Sequence, residues 1–260
     1  MERSSVVVTG AAHGIGRATA ACLAARGYVV VGVDTDLAGL ERLADEVPGA
    51  RFVRGDVRDR TTAEAAARLA SEHGRLSCWV NNAGIVRLSP LHSVADDDID
   101  AVLGVNLRAV VLGCRTALQA FLADGTAGSI VNVSSIHARA AFPGYALYDT
   151  AKGGVEALTR YVCVEYGHLG IRCNAVAPGA VDTAIVPGSA DPGRNRAADL
   201  EAARGLSPMH RVSTPEEIGE IVAFLLSDAA SSINGQVIGA DNGMSARAIQ
   251  LPPDPTIGFG

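Results

Sequence analysis

The sequence predicts an α/β protein: a doubly wound parallel sheet of about seven strands flanked by helices on both faces. Three observations predict it. Short, uninterrupted β-branched runs alternate with longer segments whose apolar residues recur at helical spacing. A glycine-rich turn stands directly after the first run, where a strand hands over to a helix. The 260 residues are 48% hydrophobic but only 4% aromatic, so the core is assembled from Ala, Val, Leu and Ile.

The elements follow in order. "SSVVVTG" reads as the first strand, with a helix expected from about Ile15 to Arg26. "YVVVGVD" is a second strand, and "LAGLERLADEV" a helix whose Leu37, Leu40, Leu43 and Ala44 share a face. "ARFVRGDV" then precedes a helix near 61–73, and "LSCWVNNAG" gives a strand and turn. One long helix is expected over 96–123. "GSIVNVSS", a helix over roughly 148–168, "IRCNAVAPG", a helix near 214–227 and "GQVIGADNG" complete the alternation. With no internal repeat or linker, residues 1–247 form one domain. Two stretches break the rhythm. Residues 184–212, bounded by Pro and Gly around a short charged helix-like middle, suggest a substrate lid. Residues 248–260 are too rich in Pro and Gly for helix or central strand and form a tail.

A formal charge of −6 disfavours nucleic-acid or anionic-membrane partners, which select a basic face. No uninterrupted apolar run approaches the roughly 20 residues of a bilayer span, and "MERSSVVVTG" lacks signal-peptide architecture. The cysteines Cys22, Cys78, Cys114, Cys163 and Cys173 show no CxxC spacing. They read as small buried hydrophobes in a reducing, cytoplasmic setting, with no metal site expected.

The turn "TGAAHGIG" places Gly10, Gly14 and Gly16 around His13 and Ile15. Glycines permit a tight turn and close backbone approach, and the helix that starts there offers free N–H groups to a pyrophosphate. The second strand ends at Asp34, followed by Thr35 and Asp36 with no cation adjacent. An acid there accepts the ribose hydroxyls of an adenosine and repels a 2′-phosphate, which favours NAD over NADP. A solvated strand-end carboxylate or a helix cap is the other account of Asp34.

With these residues in view the chain resembles the short-chain dehydrogenase/reductase family, a Rossmann-like fold, from about Ser4 to Gly243. "TGAAHGIG" resembles the family's cofactor turn, "GDV" (Asp56, Val57) its adenine-side contact, and "NNAG" (Asn82, Ala83, Gly84) its strand-four turn. "VNL" supplies Asn106, "VNVSS" Ser135, and "YDTAK" Tyr148 and Lys152. "NAVAPGAVDT" resembles the segment over the nicotinamide, with Pro178, Gly179, Val181 and Thr183. For Val181 and Thr183, packing is the competing account. The resemblance implies a catalytic set of Asn106, Ser135, Tyr148 and Lys152, an interval of thirteen selecting Ser135 over Ser134. It also implies a homotetramer or homodimer.

The implied roles agree with elementary chemistry. Tyr148 and Lys152 stand at i and i+4, on one helix face. A phenol titrates near pH 10, and a neighbouring ammonium is expected to lower that value towards a usable general acid/base. Lys152 is the only lysine in the chain. Ammonium is a compact head with three donors, able to serve the phenol, a ribose and a water together. Ser135 would stabilise charge on a substrate oxygen, and Asn106, otherwise an ordinary helix amide, would hold a relay water. Tyr145 lacks the cation, because Asp149 stands four residues on. Val86, His137, Phe142 and Tyr145 are expected around a mainly apolar substrate; a surface-loop role for His137 fits equally well. The expectation is therefore an NAD(H)-dependent oxidoreductase interconverting a secondary alcohol and a ketone. An NADPH-dependent ketoreductase and a catalytically silent nucleotide-binding protein are the alternatives.

Overall fold

A computed structural model describes residues 3–183 and 196–246. Seven strands, all parallel, lie in the order β3-β2-β1-β4-β5-β6-β7. They are β1 (Ser4–Thr9), β2 (Val29–Asp34), β3 (Arg51–Arg54), β4 (Arg75–Asn81), β5 (Ser129–Val133), β6 (Arg172–Pro178) and β7 (Val237–Ala240). The helices are α1 (Gly14–Ala25), α2 (Leu37–Glu46), α3 (Arg60–His73), α4 (Asp96–Leu103), α5 (Ala109–Ala123), α6 (Ala146–Tyr166), α7 (Arg196–Leu206) and α8 (Pro215–Leu226). The doubly wound sheet expected from the alternation of apolar runs is present.

Strand alternation divides the core between the two faces. Val6 and Val8 of β1 join Leu23, Leu40, Ile218 and Val222 from α1, α2 and α8. Val7 points the other way and joins Ala66, Trp79, Phe121, Val155 and Val162, packed by α3, α5 and α6. Because both faces are covered, a strand such as β5 is buried at every position. That is why its sequence shows no polar alternation.

The long helix expected over 96–123 is interrupted. Residues Gly104–Arg108 form a π-helical turn between α4 and α5. The Asn106 side-chain Nδ2 donates to the Val102 carbonyl at 3.0 Å, the acceptor an α-helix reserves for the backbone N–H of Asn106. The competition favours the wider turn. As one stretch, Asp96–Ala123 spans 28 residues and contains an 18-residue window of mean hydropathy 1.4, long and apolar enough by length and composition to cross a bilayer, which the count of uninterrupted apolar runs did not anticipate. Here its apolar side, including Val102, Cys114 and Phe121, packs into the core.

The strand order reverses direction between β1 and β4. Loops leaving their C-terminal ends diverge there and open a crevice, the position where open parallel sheets take their ligands.

Candidate active site

The crevice floor is the turn after β1. Gly10 has φ +67°, a region L side chains avoid, and a Cβ at Gly16 would lie 2.0 Å from the Gly10 carbonyl oxygen. Only glycine fits both positions. Thr9 fastens the neighbouring turn: its Oγ1 accepts from the backbone N–H groups of Asn82 at 3.0 Å and Ala83 at 3.1 Å. Asn82 Nδ2 in turn donates to the carbonyls of Thr9 and Gly10. The start of α1 has no side-chain cap and no acid in its first turn, which leaves its first N–H groups without a side-chain acceptor.

Asp34 closes that floor. Its Oδ2 accepts from Ala12 N–H and its Oδ1 from Asp36 N–H, both at 3.1 Å. The acid thus braces the glycine turn as well as presenting oxygens at the end of β2. His13, inside the glycine turn, lies with Nε2 2.7 Å from Asp36 Oδ2. Sequence adjacency placed no cation beside Asp34, but the fold brings Arg42 to 3.8 Å from Asp36 and sets Arg54 on the Thr35 carbonyl. Asp56 is held by a bidentate pair with Arg58, which draws its carboxyl below the usual range, and Val57 packs against the α3/α5 face.

The wall of the crevice carries Ser135, Tyr148 and Lys152. Lys152 is 3% exposed and its Nζ donates to the Val133 carbonyl at 2.7 Å, lying 5.4 Å from the centre of the Tyr148 ring. Burial pulls the lysine down to about 8. The expected depression of the Tyr148 phenol by this ammonium is not what the protein's own groups produce. Burial pushes the phenol up to about 12, with the Ser135 hydroxyl pulling the other way. Desolvation outweighs a cation that is itself buried and turned towards a carbonyl. Asn106 is fully buried, and both its amide hydrogens are taken, by Ile85 O at 2.8 Å and Val102 O. Its Oδ1 accepts from Ile85 N–H at 3.1 Å. Its side chain therefore anchors the strand-four turn.

Comparison with known proteins agrees with this geometry. A family model described as enoyl-(acyl carrier protein) reductase matches residues 10–245. Levodione reductase of Leifsonia aquatica is 38% identical over 252 residues, covering 93% of this chain and 94% of the relative. A crystal structure of levodione reductase superposes with a TM-score of 0.85 at 38% identity, covering 94% of this chain and 98% of that one. Cis-4-hydroxycyclohexanecarboxylate dehydrogenase of Sinomonas cyclohexanicum is 43% identical, covering 92% and 96%. 3beta-hydroxysteroid dehydrogenase 1 of Eggerthella lenta is 36% identical, covering 94% and 95%. The chain belongs to the short-chain dehydrogenase/reductase family. Its relatives are dehydrogenases and reductases, and this chain is an oxidoreductase of their type.

In this short-chain dehydrogenase/reductase a cleft of about 420 Å3 runs from the glycine turn to α7. Ile15, Asn82, Gly84, Pro178, Gly179, Val181 and Thr183 line its end at the glycine turn, while Val86, His137, Phe142 and Tyr145 stand around the wall that carries Ser135, Tyr148 and Lys152. Leu200 and Leu206 of α7 and Met244 complete the apolar side, none of them singled out by the sequence. Residues 184–195 of the expected lid and the tail 248–260 lie outside the described residues. The donor set fits a dinucleotide. Besides the glycine cradle, Thr183 Oγ1 is buried without a hydrogen-bond partner, an orphaned group beside Gly14 suited to an amide. Among the described residues no group of three or more His, Cys, Asp or Glu is placed to hold a metal ion.

The sequence left His137 and Asp149 unconnected. In the structure His137 Nδ1 lies 2.6 Å from Asp149 Oδ1, and Phe142 N–H donates to Asp149 Oδ2 at 3.1 Å. Burial, helped by Lys152, lowers the imidazole below its usual value against the pull of Asp149. No periodicity links a loop histidine to a helix acid twelve residues on; only the packing does.

Proposed function

We propose that this protein is an NAD(H)-dependent oxidoreductase that interconverts an alicyclic secondary alcohol and its ketone. The observation that carries the reading is the convergence of a phenol, a hydroxyl and a buried ammonium on one wall of a cleft whose far end is a glycine turn braced by an acid. Bound nicotinamide would supply the hydride acceptor or donor and, when oxidised, a positive charge that favours a phenolate. Tyr148 takes the proton from the carbinol oxygen, or returns it to the ketone. Ser135 donates to the same oxygen as charge develops there. Lys152 moves its ammonium hydrogens between the Val133 carbonyl and a ribose hydroxyl, holding the cofactor's sugar and feeding the proton relay. Gly10, Gly14, Gly16 and the start of α1 hold the pyrophosphate, Asp34 the adenosine ribose, and Asp56 with Val57 the adenine edge.

The apolar lining supports a ring alcohol. Two relatives carry names that place the hydroxyl on a ring, hydroxycyclohexanecarboxylate and hydroxysteroid. Arg42 and Arg54 near Asp36 and Thr35 support NADPH-dependent ketone reduction as the second reading. Exposed apolar side chains on α5 and α6, among them Val111, Leu122, Tyr161 and Val164, support assembly into a homotetramer.

The test is a panel of cyclic secondary alcohols with NAD and, separately, NADP, followed by the absorbance of the reduced cofactor. NAD turnover is expected, falling by at least about a thousandfold in Tyr148→Phe with an unchanged circular dichroism spectrum. Undiminished turnover in that variant refutes the mechanism. Cofactor binding without turnover on any alcohol or ketone assigns the silent, nucleotide-binding alternative.

A further inference from the structure

The proposed chemistry uses Ser135, Tyr148 and Lys152 and leaves without a task a second polar pair, His137, which lines the same cleft, and Asp149 behind it. His137 and Asp149 are both largely enclosed, with side chains 15% and 16% exposed. A carboxylate offers only lone pairs, so the bond to Asp149 fixes the imidazole hydrogen on Nδ1. The ring is held on the Phe142 face at 4.1 Å between centroids and against Tyr145 at 4.5 Å. Nε2, on the opposite side, has no hydrogen-bond partner among the described residues and is not among their sealed polar atoms without a partner. It opens to the cleft that His137 lines.

A ring needed only for packing on two aromatics has no use for an acid that fixes its tautomer. Asp149 also fastens the loop at Phe142, so ring, tautomer and loop are set together. The His137 ring stands edge-on to the Tyr148 ring at 5.2 Å between centroids. A ring held with one oxygen at the phenol therefore lies beside the imidazole, where a second hydroxyl on the same ring can meet it.

We propose that Nε2 of His137 accepts a hydrogen bond from a second hydroxyl of the substrate, on a carbon adjacent to the reacting carbinol or next but one to it. The preferred substrates are then ring diols and the hydroxyketones they yield, with Asp149 as the positioning residue. This rests on the proposed function and names the substrate class of that site. A plain ring alcohol leaves Nε2 facing apolar carbon and loses the contact.

The experiment compares kcat/KM with NAD for cyclohexanol against cyclohexane-1,2-diol and cyclohexane-1,3-diol, each isomer separately, in the wild type, His137→Phe, His137→Gln and Asp149→Asn. The wild type is expected to prefer at least one diol by about tenfold or more. His137→Phe should collapse that ratio towards one, chiefly through the KM of the diol, and Asp149→Asn should reduce it. His137→Gln, which restores an acceptor oxygen, should keep part of it and carries the test should the phenylalanine variant not fold. A purely structural role would lower all the substrates together and leave the ratio intact. Oxidation of cyclohexanol and the diols at equal efficiency, or a diol preference that survives His137→Phe, overturns the inference while the dehydrogenase reading stands. Turnover of neither class by the wild type overturns both.

Discussion

Lys152→Met removes the buried cation while keeping an unbranched side chain of similar length. In the wild type the ammonium is 3% exposed, and burial draws it from the ordinary 10.5 down to about 8. Below pH 8 the lysine is charged whether folded or unfolded, and the folded state carries the full desolvation cost. Between pH 8 and 10.5 the unfolded chain holds a proton that the folded one has shed, so stability rises with pH. Above 10.5 both forms are neutral. At about 1.4 kcal/mol per pH unit the gap corresponds to about 3 kcal/mol. Other groups oppose this trend in absolute stability. Tyr148, Tyr28, Cys22, Cys78 and Cys173 all titrate higher in the fold, so they cost stability as pH rises through their unfolded values near 9 and 10. Methionine at 152 leaves those groups in place, so the difference between the two proteins isolates the lysine. The assay is urea unfolding at fixed protein concentration, read by the fluorescence of Trp79, the single and fully buried tryptophan. Wild type should gain about 3 kcal/mol relative to Lys152→Met between pH 7.5 and 10.5. A difference flat to about 0.5 kcal/mol over that range would mean an ordinary, solvated lysine and would refute the reasoning.

Two further outcomes are expected. Asp34→Ala should shift the ratio of NADP to NAD efficiency towards NADP by about tenfold or more, and should cost about 1 kcal/mol in urea unfolding because Ala12 and Asp36 N–H lose their acceptor; an unchanged cofactor ratio removes Asp34 from the ribose. Lys152→Arg should lower kcat by about a hundredfold or more, because a planar guanidinium cannot fill the compact, enclosed place of the ammonium against Val133 O; wild-type turnover contradicts that.

What the sequence by itself determined is local. Strand and helix order follow from apolar runs and helical spacing, and the pairing of Tyr148 with Lys152 follows from one helical turn, because i and i+4 share a face wherever that helix packs. The glycine turn is equally legible, since a turn that admits no Cβ needs glycine in its own few residues. The tertiary structure decided whatever depends on groups distant in the chain. The sheet order puts β4 beside β1, so that Thr9 grips the turn at Asn82. Val102 and Ile85 capture the amide of Asn106, and a π turn results where periodicity reads a plain helix. Lys152 turns to a carbonyl of β5, and enclosure raises the Tyr148 phenol that sequence logic lowers. His137 finds Asp149. Spacing records which side chains share a face, but desolvation and hydrogen-bond partners depend on what packs against that face, and that is fixed only when the elements come together.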